Sequence, residues 1–119
     1  MLFFSLFTPA APPNGPPDPE HMAEMGRLMQ ELTRAGVLVT TGGIKSRDTG
    51  MKVVRRQDKF SFEDGPVTGS SLMPAAGYAL LRAGSREELA QHVRRFMQLA
   101  GDGTCEIIEV LEHGPPQRA

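Results

Sequence analysis

Hydrophobic positions along this chain recur with two different periods, one typical of strands and one typical of helices. The aromatic-rich run 2–7, followed by Pro9, predicts a first strand rather than a signal peptide. Apolar residues return every three or four positions in two later segments, which predicts two helices that each cover a sheet. The predicted apolar stripes are Met22, Met25, Leu28, Met29 and Leu32 in the first helix, and Leu89, Val93, Phe96, Met97 and Ala100 in the second.

Capping residues predict where both helices begin and end. Asp18 can accept a hydrogen bond from a free helix amide, and Pro19 suits the first helical position, where its missing N–H costs nothing. The segment 85–88, Ser-Arg-Glu-Glu, has the sequence of a capping box, in which the Ser hydroxyl accepts from the last Glu amide. Gly36 and Gly101 predict the two helix ends, because glycine tolerates the left-handed conformation found there.

Five further segments are rich in β-branched or alternating apolar residues, and each predicts a strand. Gln57 and Asp58 would form the turn of a hairpin, since Asp tolerates a positive φ better than most residues. Phe60 and Phe62 alternate with polar residues, which is the period of a half-buried strand. The predicted strands cover residues 37–39, 51–56, 59–62, 76–81 and 105–111.

The order of these elements is that of an α+β, ferredoxin-like βαββαβ domain with an inserted hairpin. Both helices would lie on one face of an antiparallel sheet. The other face would carry apolar side chains without cover, so we expect a homodimer packed sheet to sheet. We expect a single domain over residues 1–113 and a disordered tail over residues 114–119.

Composition narrows the classes of function. The formal net charge of −1 argues against nucleic-acid binding, which needs a net basic face. The apolar N-terminal run is far shorter than the roughly 20 residues of a membrane helix, so we expect no membrane partner. Cys105 is the only cysteine, which rules out an intrachain disulfide and favours a cytoplasmic location. No Cys or His pair has metal-ligand spacing, so we expect neither a metal nor another cofactor.

Basic residues crowd the region of the predicted hairpin. They are interpreted as the charged outer positions of a solvated hairpin, or alternatively as a docking surface for an anionic ligand or partner. These residues are Lys45, Arg47, Lys52, Arg55, Arg56 and Lys59.

Asp64 is the strongest candidate site residue. Its carboxylate at a strand end can act as a general base or hold a substrate amine, or it can bond the amides of its own turn with Gly65. His21 lies near a helix N-terminus, which favours a neutral imidazole that can serve as a base, although a solvated surface role is the alternative. Tyr78 is either a core ring or a ligand-orienting group. Arg47 can hold a ligand carboxylate, and Gly65 is a candidate ligand contact in the Asp64 turn.

Two other reactive residue types receive structural interpretations. Cys105 stands in a strand-like run, which predicts a buried structural thiol rather than a nucleophile. His92 falls at the edge of the apolar stripe of the second helix, which predicts an ordinary boundary histidine. His113, at the end of the last predicted strand, is given no role.

Several short motifs occur in a characteristic order between Met1 and about His113. These are Ala35-Gly36-Val37-Leu38 at a helix end, a Gly-Gly stretch, the hairpin, Asp64-Gly65-Pro66-Val67, and Gly77-Tyr78 at a strand start. In order and spacing the chain resembles YCII-related proteins of the branch named for an Asp-Gly-Pro-Phe motif. The resemblance implies a ferredoxin-like fold, a dimeric α/β barrel, and a genomic association with alternative sigma factors that suggests a regulatory context.

Two classes of function stay open. The first is a homodimeric module that binds a small ligand or a partner in its cleft. The second, which the resemblance implies, is a metal-independent lyase or isomerase acting on a small organic acid or carbonyl compound, with Asp64 and His21 or Tyr78 at the site. Val67 replaces the family phenylalanine, and residues 68–71 replace a stretch that usually carries Glu and Lys. The histidine of YCII relatives would fall near Met25, and their Asp late in the second helix has no counterpart, so no catalytic pair is transferred from the family.

Overall fold

Six strands and two helices follow one another in the predicted order. The structure, a computed structural model, describes residues 1–11, 18–45, 47–67, 70 and 74–112. The elements are β1 (Leu2–Pro9), α1 (Pro19–Arg34), β2 (Leu38–Gly43), a 3₁₀ turn (Arg47–Thr49), β3 (Met51–Arg56), β4 (Lys59–Asp64), β5 (Gly77–Arg82), α2 (Arg86–Ala100) and β6 (Gly103–Val110). The predicted tail over residues 114–119 and the end of the predicted domain at residue 113 lie outside the described residues.

The strands form a four-stranded sheet and a separate hairpin. The order in the larger sheet is β2-β5-β1-β6, and every neighbouring pair is antiparallel. Strands β3 and β4 pair only with each other and are inserted between β2 and β5. The chain is therefore α+β, with six strands in antiparallel sheets and two helices, which is compatible with the predicted ferredoxin-like fold.

The helix ends are built by the residues that the sequence indicates. The Asp18 side chain accepts a hydrogen bond from the Glu20 amide at 3.1 Å, and the Ser85 hydroxyl accepts one from the Glu88 amide at 3.1 Å. Gly36 and Gly101 follow the two helices with φ values of 77° and 97°, which favour glycine. The predicted starts and ends of both helices are confirmed.

The core lies between the helices and one face of the larger sheet. Phe3 of β1 is only 1% exposed and packs in a cluster with Leu28 and Leu32 of α1 and Leu89 of α2. The prediction for Met22 was wrong: its side chain is 57% exposed, because the buried contacts of α1 come from the second half of the helix.

The β3–β4 hairpin closes on the predicted turn but is not half-buried. Gln57 and Asp58 have φ values of 51° and 66°, the conformation of the primed turns that suit hairpins. Phe60 and Phe62 share a face with Met51 and Val53, and these four side chains are 50–66% exposed. The predicted half-burial of the two phenylalanines is wrong for the single chain, because the hairpin pairs with no strand of the larger sheet.

The second face of the larger sheet has no helix on it. The antiparallel register places Phe4 and Leu6 of β1 beside Leu80 and Tyr78 of β5 on this face, and Ile108 of β6, also on this face, is 65% exposed. We call this the open face. The molecule measures 49 × 47 × 20 Å, and its radius of gyration of 16.8 Å exceeds the about 13–14 Å of a compact chain of this length. The molecule is a thin two-layer plate, and the β3–β4 hairpin increases its radius of gyration.

Neither helix in the described part of the chain has the length and apolar character that crossing a membrane requires.

Candidate functional site

A cleft of about 330 Å³ lies between the helical layer and the covered face of the sheet. Most of its lining is apolar side chain or strand backbone. The side chains that form its walls are Met25, Met29 and Leu32 of α1, Val93 and Phe96 of α2, and Phe7, Leu38, Ala79 and Leu81 of the sheet. We call this the cleft.

Strand register explains why these sheet residues meet in the cleft. Ser5 lies opposite Ala79, and Phe7 lies opposite Cys105, so the four side chains project from one face of the sheet. The Phe7 ring meets the Phe96 ring of α2 edge to face, with centroids 5.4 Å apart. This contact joins the sheet to α2 beside the cleft.

Two polar groups of the cleft already have partners. The Thr41 hydroxyl donates to the Tyr78 carbonyl oxygen at 2.8 Å. Ser5 is buried and hydrogen bonds to the Cys105 thiol. These two hydroxyl groups therefore already make hydrogen bonds within the walls of the cleft.

His92 is the polar side chain of the cleft that lacks such a partner. Its side chain is 21% exposed, and its Nε2 atom is buried without a hydrogen bond to any described residue. The Glu88 carboxylate, one helical turn earlier, lies 3.5 Å from Nε2, which is an electrostatic contact at the outer limit of hydrogen bonding. A buried polar atom without a hydrogen bond is uncommon in folded proteins, and a water, an ion or a ligand can supply the missing partner.

Cys105 borders the cleft as a half-buried thiol. Burial raises the pKa of the thiol, and the hydrogen bond with Ser5 partly opposes this effect. The thiol form therefore dominates at neutral pH.

The alkylation of Cys105 by iodoacetamide is expected to show a pH midpoint that is higher in the folded protein than in the unfolded protein. The thiolate is the nucleophile, and its formation is delayed by the raised pKa of the folded state. The midpoint of the rate profile, rather than the rate itself, separates the pKa effect from restricted access. A folded-state midpoint at or below that of the chain in denaturant would contradict the prediction.

The structure does not bring the sequence-predicted site residues together in the cleft. Asp64 is exposed at the end of β4, and Gly65 follows it with a φ of 83° and an amide that donates to the Gly50 carbonyl at 2.9 Å. His21 lies half-buried in the first turn of α1. Neither Asp64 nor His21 lines the cleft, and no hydrogen bond or ion pair joins them in the described part of the chain.

Tyr78 and Arg47 occupy different settings. Tyr78 borders the cleft through its backbone, but its ring lies on the open face, where it stacks on Phe4 with centroids 6.3 Å apart. A Cβ at Gly42 would lie only 2.8 Å from Cε1 of this ring, so the tyrosine rests directly over a bare glycine. Arg47 begins the 3₁₀ turn after β2.

The sequence interpretation gave His92 and Cys105 structural roles only, whereas both residues line the cleft. A signal for His92 was present in the sequence, because Glu88 of the capping box lies four residues before it, which is about one helical turn. The cleft itself had no local signal, since its walls come from strands and helices far apart in the chain.

Comparison with known proteins does not identify the family of this chain. No protein-family model matches the chain. No curated protein matches it either. The resemblance to YCII-related proteins therefore stays a prediction, and the cleft is the basis for the functional proposal that follows.

Proposed function

We propose that this chain binds a small molecule in the cleft between its helices and its sheet. The observation that carries the proposal is an apolar cavity of about 330 Å³ with one unpaired buried nitrogen, Nε2 of His92, in its wall. Ligand sites are typically concave and mostly apolar, with volumes from about 300 Å³ and a few polar groups that orient the ligand. Both features are present at this one place.

Catalysis by Asp64 and His21 has less support. A general base must come within hydrogen-bond reach of the group that it deprotonates, in a pocket that holds the substrate. Neither residue lines the cleft, and Asp64 belongs to an exposed hairpin. A lyase or isomerase of the kind that the YCII resemblance implies would therefore need a different pair of residues.

We also propose that the protein is a homodimer that buries the open face and the apolar face of the hairpin. The latter is the face of Met51, Val53, Phe60 and Phe62, which Arg55 and Asp64 border. Phe4, Leu6, Leu80 and Ile108 form a contiguous apolar surface on the sheet, and contiguous exposed patches of this kind typically mark interaction surfaces. A two-layer plate only 20 Å thick gains a complete core on both sides of its sheet when a second copy covers the open face.

The hairpin supports the same arrangement. A two-stranded hairpin is at best marginally stable alone in water, and this one exposes the side chains of Met51, Val53, Phe60 and Phe62. Packing against a second copy supplies the apolar contacts that the rest of its own chain does not. A dimeric barrel of the YCII type is one way to arrange two such sheets.

Ligand binding in the cleft is tested by thermal shift and by protection of Cys105 from alkylation. A ligand present at a hundred times its Kd is expected to stabilise the fold by about 2.7 kcal/mol, and it would shield the thiol in the cleft wall. A panel of small apolar compounds serves as the probe. Ala79→Leu, which fills the cleft, is expected to abolish both effects.

Ala90→Leu is the matched control, because it makes the same change at an exposed position of α2. It is expected to retain the stabilisation and the protection. If no compound of the panel stabilises the protein or protects Cys105, or if both variants behave alike, the cleft is not a ligand site.

A further inference from the structure

The walls of the cleft favour an aromatic ligand. Phe7 and Phe96 present ring edges and faces, and Met25 and Met29 contribute flexible thioether side chains. Aromatic rings gain from edge-to-face contacts with other rings and from contacts with methionine sulfur. A cavity of about 330 Å³ has room for a bicyclic ring system.

The charges around the cleft favour a neutral ligand. No Lys or Arg is among the described residues that line it. The Glu88 carboxylate lies 3.5 Å from Nε2 of His92, which lines the cleft. A ligand carboxylate or phosphate would lose its hydration in an apolar site without a fixed cation, and this loss is costly.

His92 offers the one uncommitted polar group that can orient such a ligand. The Glu88 carboxylate faces Nε2, which favours the tautomer with the proton on Nε2. Nε2 makes no hydrogen bond with any described residue, so in that tautomer its N–H is free to donate to a ligand. The complementary ligand group is therefore a hydrogen-bond acceptor, and a hydroxyl can in addition donate its own proton to the neighbouring Glu88 carboxylate.

Building on the proposed function, we infer that the ligand is a neutral aromatic hydroxyl compound of the phenol or naphthol class, whose hydroxyl oxygen accepts from Nε2 of His92. The ring occupies the part of the cleft that Phe7, Phe96, Met25 and Met29 line. His92 is the specificity-determining residue, and Glu88 is a positioning residue that sets its tautomer.

Three naphthalene probes that differ in one substituent test the inference: 2-naphthol, 2-methylnaphthalene and 2-naphthoate. Their affinities are measured by calorimetric titration, and Cys105 alkylation reports occupancy of the cleft. In the unmodified protein 2-naphthol is expected to bind about tenfold more tightly than 2-methylnaphthalene, which is the usual contribution of one hydrogen bond in a dry site, and 2-naphthoate is expected to bind most weakly. His92→Phe is expected to remove the preference for 2-naphthol while 2-methylnaphthalene still binds.

His21→Phe is the matched control, because it removes a histidine that does not line the cleft. This variant is expected to keep the tenfold preference. Glu88→Gln keeps the backbone N–H that donates to Ser85 but removes the carboxylate charge, and it is expected to reduce the preference. Continued binding of 2-methylnaphthalene by His92→Phe demonstrates that this variant folds. If it does not fold, the three-probe comparison in the unmodified protein and the Glu88→Gln result decide the question.

The possible failures are distinguishable. If 2-naphthol and 2-methylnaphthalene bind equally well and protect Cys105, the hydroxyl inference is wrong and the cleft remains a ligand site. Tightest binding by 2-naphthoate would also overturn the inference, because the site would then recognise an anion. If none of the probes binds or protects Cys105, the inference is wrong, and the proposed function loses its support for aromatic ligands at the same time.

Discussion

Replacing Phe62 by aspartate is expected to raise the dissociation constant of the homodimer by at least about thirtyfold. Phe62 is 66% exposed in the single chain and lies on the apolar face of the hairpin, so its ring would be buried only when a second copy is present. Aromatic anchors at an interface centre commonly contribute 2 kcal/mol or more, which corresponds to this factor, and a buried carboxylate adds a desolvation penalty. Sedimentation equilibrium across a range of protein concentrations measures the change.

Ser61→Asp is the matched control for this experiment. Ser61 is adjacent in sequence and is also exposed, but it projects from the opposite face of the hairpin. The same charge at this position is expected to leave the dissociation constant nearly unchanged. Two outcomes would contradict the proposed interface: a monomeric unmodified protein, or equal weakening by the two substitutions.

Replacing Phe3 by alanine is expected to lower the free energy of unfolding by about 3–5 kcal/mol. Phe3 is the largest fully buried side chain of the described residues, and its removal leaves a cavity that Leu28, Leu32 and Leu89 cannot close. Urea denaturation followed by circular dichroism measures the change. Because these contacts lie within one chain, the loss is expected to be independent of protein concentration.

Phe4→Ala provides the comparison, since Phe4 is the next residue on β1 and faces away from the helices. In the dimer its ring would be covered by the second copy, so its loss is expected to cost more at high protein concentration than at low concentration. A Phe4→Ala effect that is the same at all concentrations would argue that the open face is not an interface.

Local sequence signals predicted most of the fold. Asp18, Ser85, Gly36 and Gly101 each act within a few residues of their own position, so the helix ends followed from the chain alone. The Gln57-Asp58 turn was predicted for the same reason. Alternation along β4 correctly indicated a strand, but it could not indicate whether another element of the same chain covers the apolar face.

The candidate site depends on distant parts of the chain, and sequence interpretation did not find it. Ser5, His92 and Cys105 come from the first strand, the second helix and the last strand, and only the strand register and helix packing bring them to one cleft. Asp64 and His21 attracted attention because of their local chemistry. Local chemistry does not determine whether a carboxylate and an imidazole reach the same cavity.

The contact between Gly42 and Tyr78 constrains the order in which the sequence of this protein can change. Any side chain at position 42 would place its Cβ within 2.8 Å of the tyrosine ring, which is closer than real Cβ contacts allow. A substitution at position 42 therefore requires either that the Tyr78 ring turns aside or that position 78 carries a smaller residue. Among natural variants of this chain, a residue larger than glycine at position 42 is therefore expected together with a residue smaller than tyrosine at position 78, and rarely together with tyrosine.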